Sequence, residues 1–192
     1  MGFERPNILI IMSDQHSRSA CGCYDHPLVR TPNIDRLAAE GVRLDAAYCP
    51  APLCVPSRMS FMTARTPSAN RVWTNEHSLD PEAPTWAHYL GLAGYRTALV
   101  GRMHFVGADQ LHGFHDRPLG EPGAAPRGVR LRAARPNAPY PRMAYAQNRE
   151  AASIAGYGRT VVQWNAELVR DAACRWLHTG GADARPFAAV VG

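Results

Sequence analysis

Apolar positions run along this chain in two rhythms. Ile8-Leu-Ile-Ile-Met12 is a continuous apolar run, Tyr95 to Val100 reads as a second strand, and Phe187-Ala-Ala-Val-Val-Gly192 as a third. Runs of this kind predict strands buried on both faces of a parallel sheet. Between them the spacing turns helical. From Thr31 to Gly41 a Thr cap and Pro at the first helical position precede Ile34, Leu37 and Ala38 on one face, and Gly41 stops the helix. From Cys54 to Thr63, Val55, Met59 and Met62 fall at i, i+4 and i+7 and predict a core-facing stripe. A further helix is predicted over Thr85 to Ala93. Another, over Thr160 to His178, carries Val161, Trp164, Leu168, Ala172 and Trp176 as its core stripe. Val42 to Tyr48 reads as a short extended piece, with loops at Cys49 to Leu53 and Pro67 to Pro84. Strands alternating with helices predict an α/β fold around a largely parallel sheet.

Polar residues appear where the apolar runs stop. Ser13-Asp14-Gln15-His16 follows the first strand and Gly101-Arg102-Met103-His104 the second. In an open α/β sheet that carboxyl edge is where ligands bind. Alternate residues of an extended segment share a side, so Arg102 and His104 point together. Cys54 opens its helix with Arg58 one turn behind, close enough for the two to meet. Singly, Asp14 reads as a cap, His104 as an ordinary satisfied histidine and Cys54 as packing. Together, Asp14, Cys54, Arg58, Arg102 and His104 read as one anion-handling site with an activated residue at 54. His16, His77, His112 and His115 read as ordinary histidines.

Composition narrows the classes. With 192 residues, 46% apolar and 19% charged, the chain is long enough for a folded domain or part of one and is no disordered polymer. No apolar run approaches the roughly 20 residues that span a bilayer, and MGFERPNILIIM makes a poor secretory signal. The five cysteines are odd in number and irregularly spaced, which argues for reduced thiols. The expectation is a cytoplasmic protein without a membrane segment. The net charge of +5 owes much to seven arginines between Arg117 and Arg149, in a stretch also rich in Pro, Gly and Ala. No nucleic-acid motif accompanies them and they lack helical spacing, so 117–157 reads as an irregular insertion and no nucleic-acid partner is expected.

The site residues carry a resemblance. Cys54-Val-Pro-Ser-Arg58, with Met62-Thr-Ala-Arg65 behind it, resembles the Cys-x-Pro-x-Arg signature of the sulfatase family. Gly94-Tyr-Arg-Thr-Ala-Leu-Val-Gly-Arg-Met-His104 resembles the family's second signature, which ends in Gly-Lys-x-His, and Pro6 to Gln15 is similar to its metal-binding first strand. Pro84 to Leu90 and Met103 to Phe114 resemble choline-sulfatases in particular. The resemblance implies an alkaline-phosphatase-like sandwich with a mainly parallel sheet flanked by helices, of which residues 1–192 would form the N-terminal part.

It also implies a chemistry. The motif cysteine would be oxidised to Cα-formylglycine by a formylglycine-generating enzyme. One hydroxyl of the hydrate would attack the sulfur of a sulfate ester as the alcohol leaves, and the second would collapse the adduct and release sulfate. A divalent metal, calcium before magnesium or manganese, would be held by Asp14, Gln15 and residue 54, hard oxygen donors suiting such an ion. Gln15 stands where many relatives carry Asp. Arg58 would hold the hydrate, His104 and Arg102 would contact the sulfate, and Asn75 would bond an anionic oxygen. Arg102 replaces the usual Lys, a planar fork in place of a compact ammonium. The substrate would be a small anionic sulfate ester, choline sulfate among them. A phosphonate or phosphate ester hydrolase of the same superfamily and a non-catalytic anion-binding fragment are the alternatives, and a homo-oligomer of a full-length form stays open. Relatives take their remaining metal ligands from later segments, so this chain alone is expected to turn over negligibly.

Overall fold

The computed structural model describes residues 5–121, 158, 160–180 and 185–192, so most of the Arg-rich stretch, 122–157, lies outside the described residues. Four strands, β1 (Ile8–Ile11), β2 (Arg96–Val100), β3 (Asp116–Leu119) and β4 (Phe187–Val191), form one all-parallel sheet in the order β1-β4-β2-β3. The helices are α1 (Pro32–Glu40), α2 (Cys54–Thr63), α3 (Pro67–Asn70), α4 (Trp86–Leu92) and α5 (Val161–Arg175), the last running on into a π turn at Trp176–Gly180. Each parallel pairing needs a crossover: helices intervene between β1 and β4 and between β2 and β4, whereas residues 101–115 join β2 to β3 without one.

The sheet is covered on both faces. On one side Leu99 and Val190 pack with Val55, Met59 and Met62 of α2 and with Leu79, Met103 and Phe114. On the other, Val169 and Ala173 of α5 lie on Val100, while Trp176 packs with Ala98 and Ala189. Alternation along β2 and β4 sends successive side chains to opposite layers. Val55, Met59 and Met62 are almost wholly buried, and each side chain contributes about 1.5–3 kcal/mol on leaving water. Among the described residues no helix is long and apolar enough to cross a membrane.

The structure departs from the sequence reading in several places. β1 is half-buried: Leu9 and Ile11 are exposed, because β1 is an edge of the described sheet with a bare face. Val42 to Tyr48 forms no strand. The predicted apolar face of α1 meets no cover, since α1 has no buried residue. Thr31 gives that helix no side-chain cap; its hydroxyl donates to Asp35 and accepts from the Gly22 amide. In α5 the buried stripe is Val169, Ala173 and Trp176, while Trp164 is exposed; the helix meets the sheet only through its second half.

β3 and α3 were not anticipated. β3 reads Asp-Arg-Pro-Leu, with no apolar alternation, and its Pro118 suits an edge strand. Tertiary partners hold it: Asp116 pairs with Arg96 at 2.6 Å and accepts from the Trp176 indole at 3.1 Å. α3 is one turn inside the expected loop, with Thr66 accepting from the Ala69 amide.

Candidate active site

The carboxyl ends of β1, β4 and β2 meet at one edge. The Met12 amide donates to Val191, the Gly192 amide to Val100, and the Arg102 amide to the Gly192 carbonyl at 2.7 Å. Gly101 permits this closeness. Its φ is +90°, and a Cβ there would lie 2.0 Å from the Gly192 oxygen. The ladder therefore delivers Asp14 and the Arg102–His104 segment to neighbouring positions. Gln15 and His104 both hold left-handed backbone, with φ of 53° and 58°, a conformation that costs about 1–3 kcal/mol in a non-glycine residue and clusters at functional sites.

α2 brings the remaining members. Cys54, half-buried, stands at its first position. The N-cap residue Leu53 offers no side-chain acceptor, and Asn75 supplies one from outside: its amide oxygen accepts from the Val55 amide at 2.9 Å. Asn75 thus stands at the first turn of α2, with its oxygen capping the helix.

One turn on, Arg58 is only 6% exposed. Its guanidinium donates to the Arg102 carbonyl at 2.8 Å and lies 3.6 Å from Asp14 Oδ1. Burial pushes its pKa down from the ordinary value, and the Asp14 charge opposes this; an arginine stays charged throughout. Arg102 uses its whole fork. Nη1 pairs with Asp14 Oδ2 at 2.9 Å, Nη2 donates to His104 Nδ1 at 2.9 Å, and Nε lies 3.1 Å from Glu121 Oε1. The Nε–Glu121 contact lacks hydrogen-bond alignment and is an ion pair.

Asp14, Arg58, Arg102 and His104 are thus bonded to one another, Cys54 lies one helical turn from Arg58, and Asn75 ties to the next residue. Gln15 follows Asp14 directly. Glu121 was missed, because it sits past an unpatterned strand in a Pro/Gly-rich context and only its pairing with Arg102 reveals it. Of two clefts, the larger, about 880 Å³, runs between α1 and the turns around Cys23 and Arg43, and no residue of the candidate site lines it. The smaller, about 500 Å³, follows the flank of α2 beside Arg58, Ser60 and Phe61.

The donor set fits a hard cation only in part. A carboxylate and an amide oxygen suit calcium, but both Asp14 oxygens face guanidiniums. Among the described residues no cluster of three His, Cys, Asp or Glu side chains could hold a metal ion.

Known proteins resemble this chain in sequence and fold. The family model described as sulfatase matches residues 6–149. A choline-sulfatase of Rhizobium meliloti is 46% identical over 113 residues, covering 59% of this chain and 22% of that protein. A structure titled as a complex with its substrate D-glucosamine-2-N,6-O-disulfate superposes with a TM-score of 0.69 at 25% identity, over 98% of this chain and 34% of the other. The phosphonate monoester hydrolase of Agrobacterium radiobacter gives the same TM-score at 24% identity, over 97% and 40%. This chain spans about a fifth of the choline-sulfatase and about a third of the substrate-bound structure. The α/β fold matches the N-terminal part of such structures.

Proposed function

The chain belongs to the sulfatase family, and on that premise we propose that it carries the nucleophile-bearing part of a sulfuric ester hydrolase. One observation bears most of the weight: Cys54 opens α2 one turn from a buried arginine that is tied to Asp14 and to the Arg102 backbone. Converted to formylglycine, position 54 would supply a hydrated aldehyde as nucleophile for sulfur; a divalent cation, which Asp14, Gln15 and residue 54 would hold, would supply charge neutralisation there.

The chain's own residues set the rest. Arg58 is buried and doubly engaged, so it offers a fixed positive charge beside position 54 at little entropic cost. Asn75 fixes the first turn of α2 and with it the direction of residue 54. Arg102 and His104 present donors from one side of the β2 extension. An arginine only donates, so His104 Nδ1 accepts and the proton of the neutral ring rests on Nε2. From there it can be given to an oxygen of the ester. A small sulfate ester is the proposed substrate class, and the choline-sulfatase similarity puts choline sulfate first among those to try.

Peptide mass spectrometry of the Cys54 segment, after co-expression with a formylglycine-generating enzyme, tests the nucleophile. The expected result is the mass decrease of exchanging a thiol for an aldehyde oxygen. A peptide found solely as unmodified cysteine would reject the assignment. With a full-length form, faster cleavage of phosphonate than of sulfate esters would move the substrate class to phosphonates.

A further inference from the structure

The pairing of Arg102 with Glu121 has no place in the chemistry above, yet it is what completes the arginine's coordination. Two of the three polar positions on the fork face the site: Nη1 meets Asp14 and Nη2 meets His104 Nδ1. The third, Nε, is shut from solvent and has no aligned acceptor; the Glu121 carboxylate at 3.1 Å is the charge that faces it. Glu121 is itself only 20% exposed. It lies two residues past the end of β3, the edge strand that Asp116 fastens through Arg96 and Trp176. The carboxylate is therefore carried on an anchored element. A guanidinium is planar and rigid, so a charge fixed at Nε sets the direction of both Nη groups.

We propose that Glu121 is a positioning residue: acting through Arg102, it fixes the tautomer of His104. With Glu121 in place, Nη2–H is aimed at Nδ1, and Nδ1 cannot carry the ring proton without facing another donor. Without Glu121, the buried Nε loses its counter-charge, which is unfavourable, and the guanidinium turns about its Asp14 contact toward water. Nδ1 then loses the Arg102 donor, and that donor no longer holds the ring proton on Nε2. A lysine at 102 would not need this device, since an ammonium has no orientation to fix. The use of the Nε2 proton in ester cleavage rests on the function proposed above. The positioning itself rests on the geometry alone.

The test is imidazole nitrogen NMR of the 192-residue chain, labelled at histidine and arginine, at a pH where the ring is neutral. The wild type is expected to show His104 with Nε2 protonated and an Arg102 Nε–H signal that exchanges slowly. Glu121→Gln is expected to give a mixture of the two tautomers, with Arg102 Nε–H exchange faster by at least about tenfold. Glu121→Asp is expected to restore most of the wild-type pattern. In an Arg102→Lys background, Glu121→Gln is expected to leave the His104 signals unmoved, because its effect travels through the guanidinium. A role confined to overall stability would lower the melting temperature without moving the tautomer, and that outcome would overturn the proposal. If Glu121→Gln does not fold, the wild-type spectrum still decides: a ring protonated at Nδ1 overturns it. None of these readouts depends on turnover, so an unmodified Cys54 would sink the hydrolase reading and leave this one standing.

Discussion

Two halves of this molecule are written in similarly amphipathic sequence and behave differently. From Cys54 to Leu119, with β4, a core of apolar side chains disappears into the sheet layers: Leu99, Met62, Val72 and Val190 have essentially no exposed surface, although Trp73, Tyr89 and Leu92 stay exposed. From Ser17 to Pro50 they do not. Leu28, Val42, Leu44 and Tyr48 are largely exposed, and α1 buries nothing despite its one-sided spacing. Amphipathicity states what a helix could bury. Burial needs a second surface, and only the first half has one among the described residues. The candidate site follows this division. Apart from Asp14 and Gln15 at the end of β1, its members stand on elements that the packed half fixes.

The contrast can be broken by substitution. The largest effect is expected from Leu99→Ala, which opens a void between α2 and β2; by analogy with other buried leucines it should cost about 2–5 kcal/mol in denaturant unfolding. A cost below about 1 kcal/mol would mean the layers are loosely packed. Next comes Gly101→Ala. Its Cβ would meet the Gly192 carbonyl and the Val169 methyls in a left-handed backbone, so stability should fall by more than about 1 kcal/mol. Arg102 should move with it, which the arginine signals described above would report.

The pH response should separate the halves further. His112 is 1% exposed, its ring centre 4.5 Å from that of Phe105 with the planes tilted by 55°, and its Nδ1 3.3 Å from Asp109. Burial pushes its pKa below the ordinary value, against the pull of Asp109 and with the push of His88. The unfolded chain therefore takes up this proton first, near pH 6.5. Stability from His112 is full above that value and declines as pH falls from there through the lower folded pKa, with a slope of at most about 1.4 kcal/mol per pH unit. Unfolding curves between pH 7.5 and 5 check this, and His112→Phe should flatten that segment. An unchanged slope in the variant would assign the pH response to other groups. The smallest effect is expected from Leu37→Ala in α1. At 61% exposed it should shift stability by no more than about 0.5 kcal/mol. A loss of 2 kcal/mol or more would show that α1 is covered in solution, and the contrast would fall.

Legibility in the sequence tracked the same division. α2 is found at the bounds its spacing predicts, and β2 and β4 differ by one residue at an end, because tertiary packing there agrees with local pattern. Asp14, Arg58, Arg102 and His104 were legible as a group because strand ends and one helical turn place them, and they do bond to each other. β3 was not legible: four residues with two charges and a proline carry no strand rhythm, and side-chain partners far along the chain decide their conformation. The α5 stripe was misphased toward Trp164 because periodicity gives a face without saying how much of the helix the sheet reaches. Glu121 was invisible because its meaning is a single pairing with a residue nineteen positions earlier.

The close approach at Gly101 has a consequence for assembly errors. The Arg102 amide takes its acceptor from Gly192 and the Gly192 amide takes its own from Val100, so the arginine of the candidate site is positioned by the same ladder that registers β2 against β4. A slip of one residue would turn every side chain of β4 to the opposite layer and withdraw that acceptor at the same time. A mispaired sheet would then have no assembled site at all. Alignment of the strands and assembly of the candidate site therefore stand or fall together.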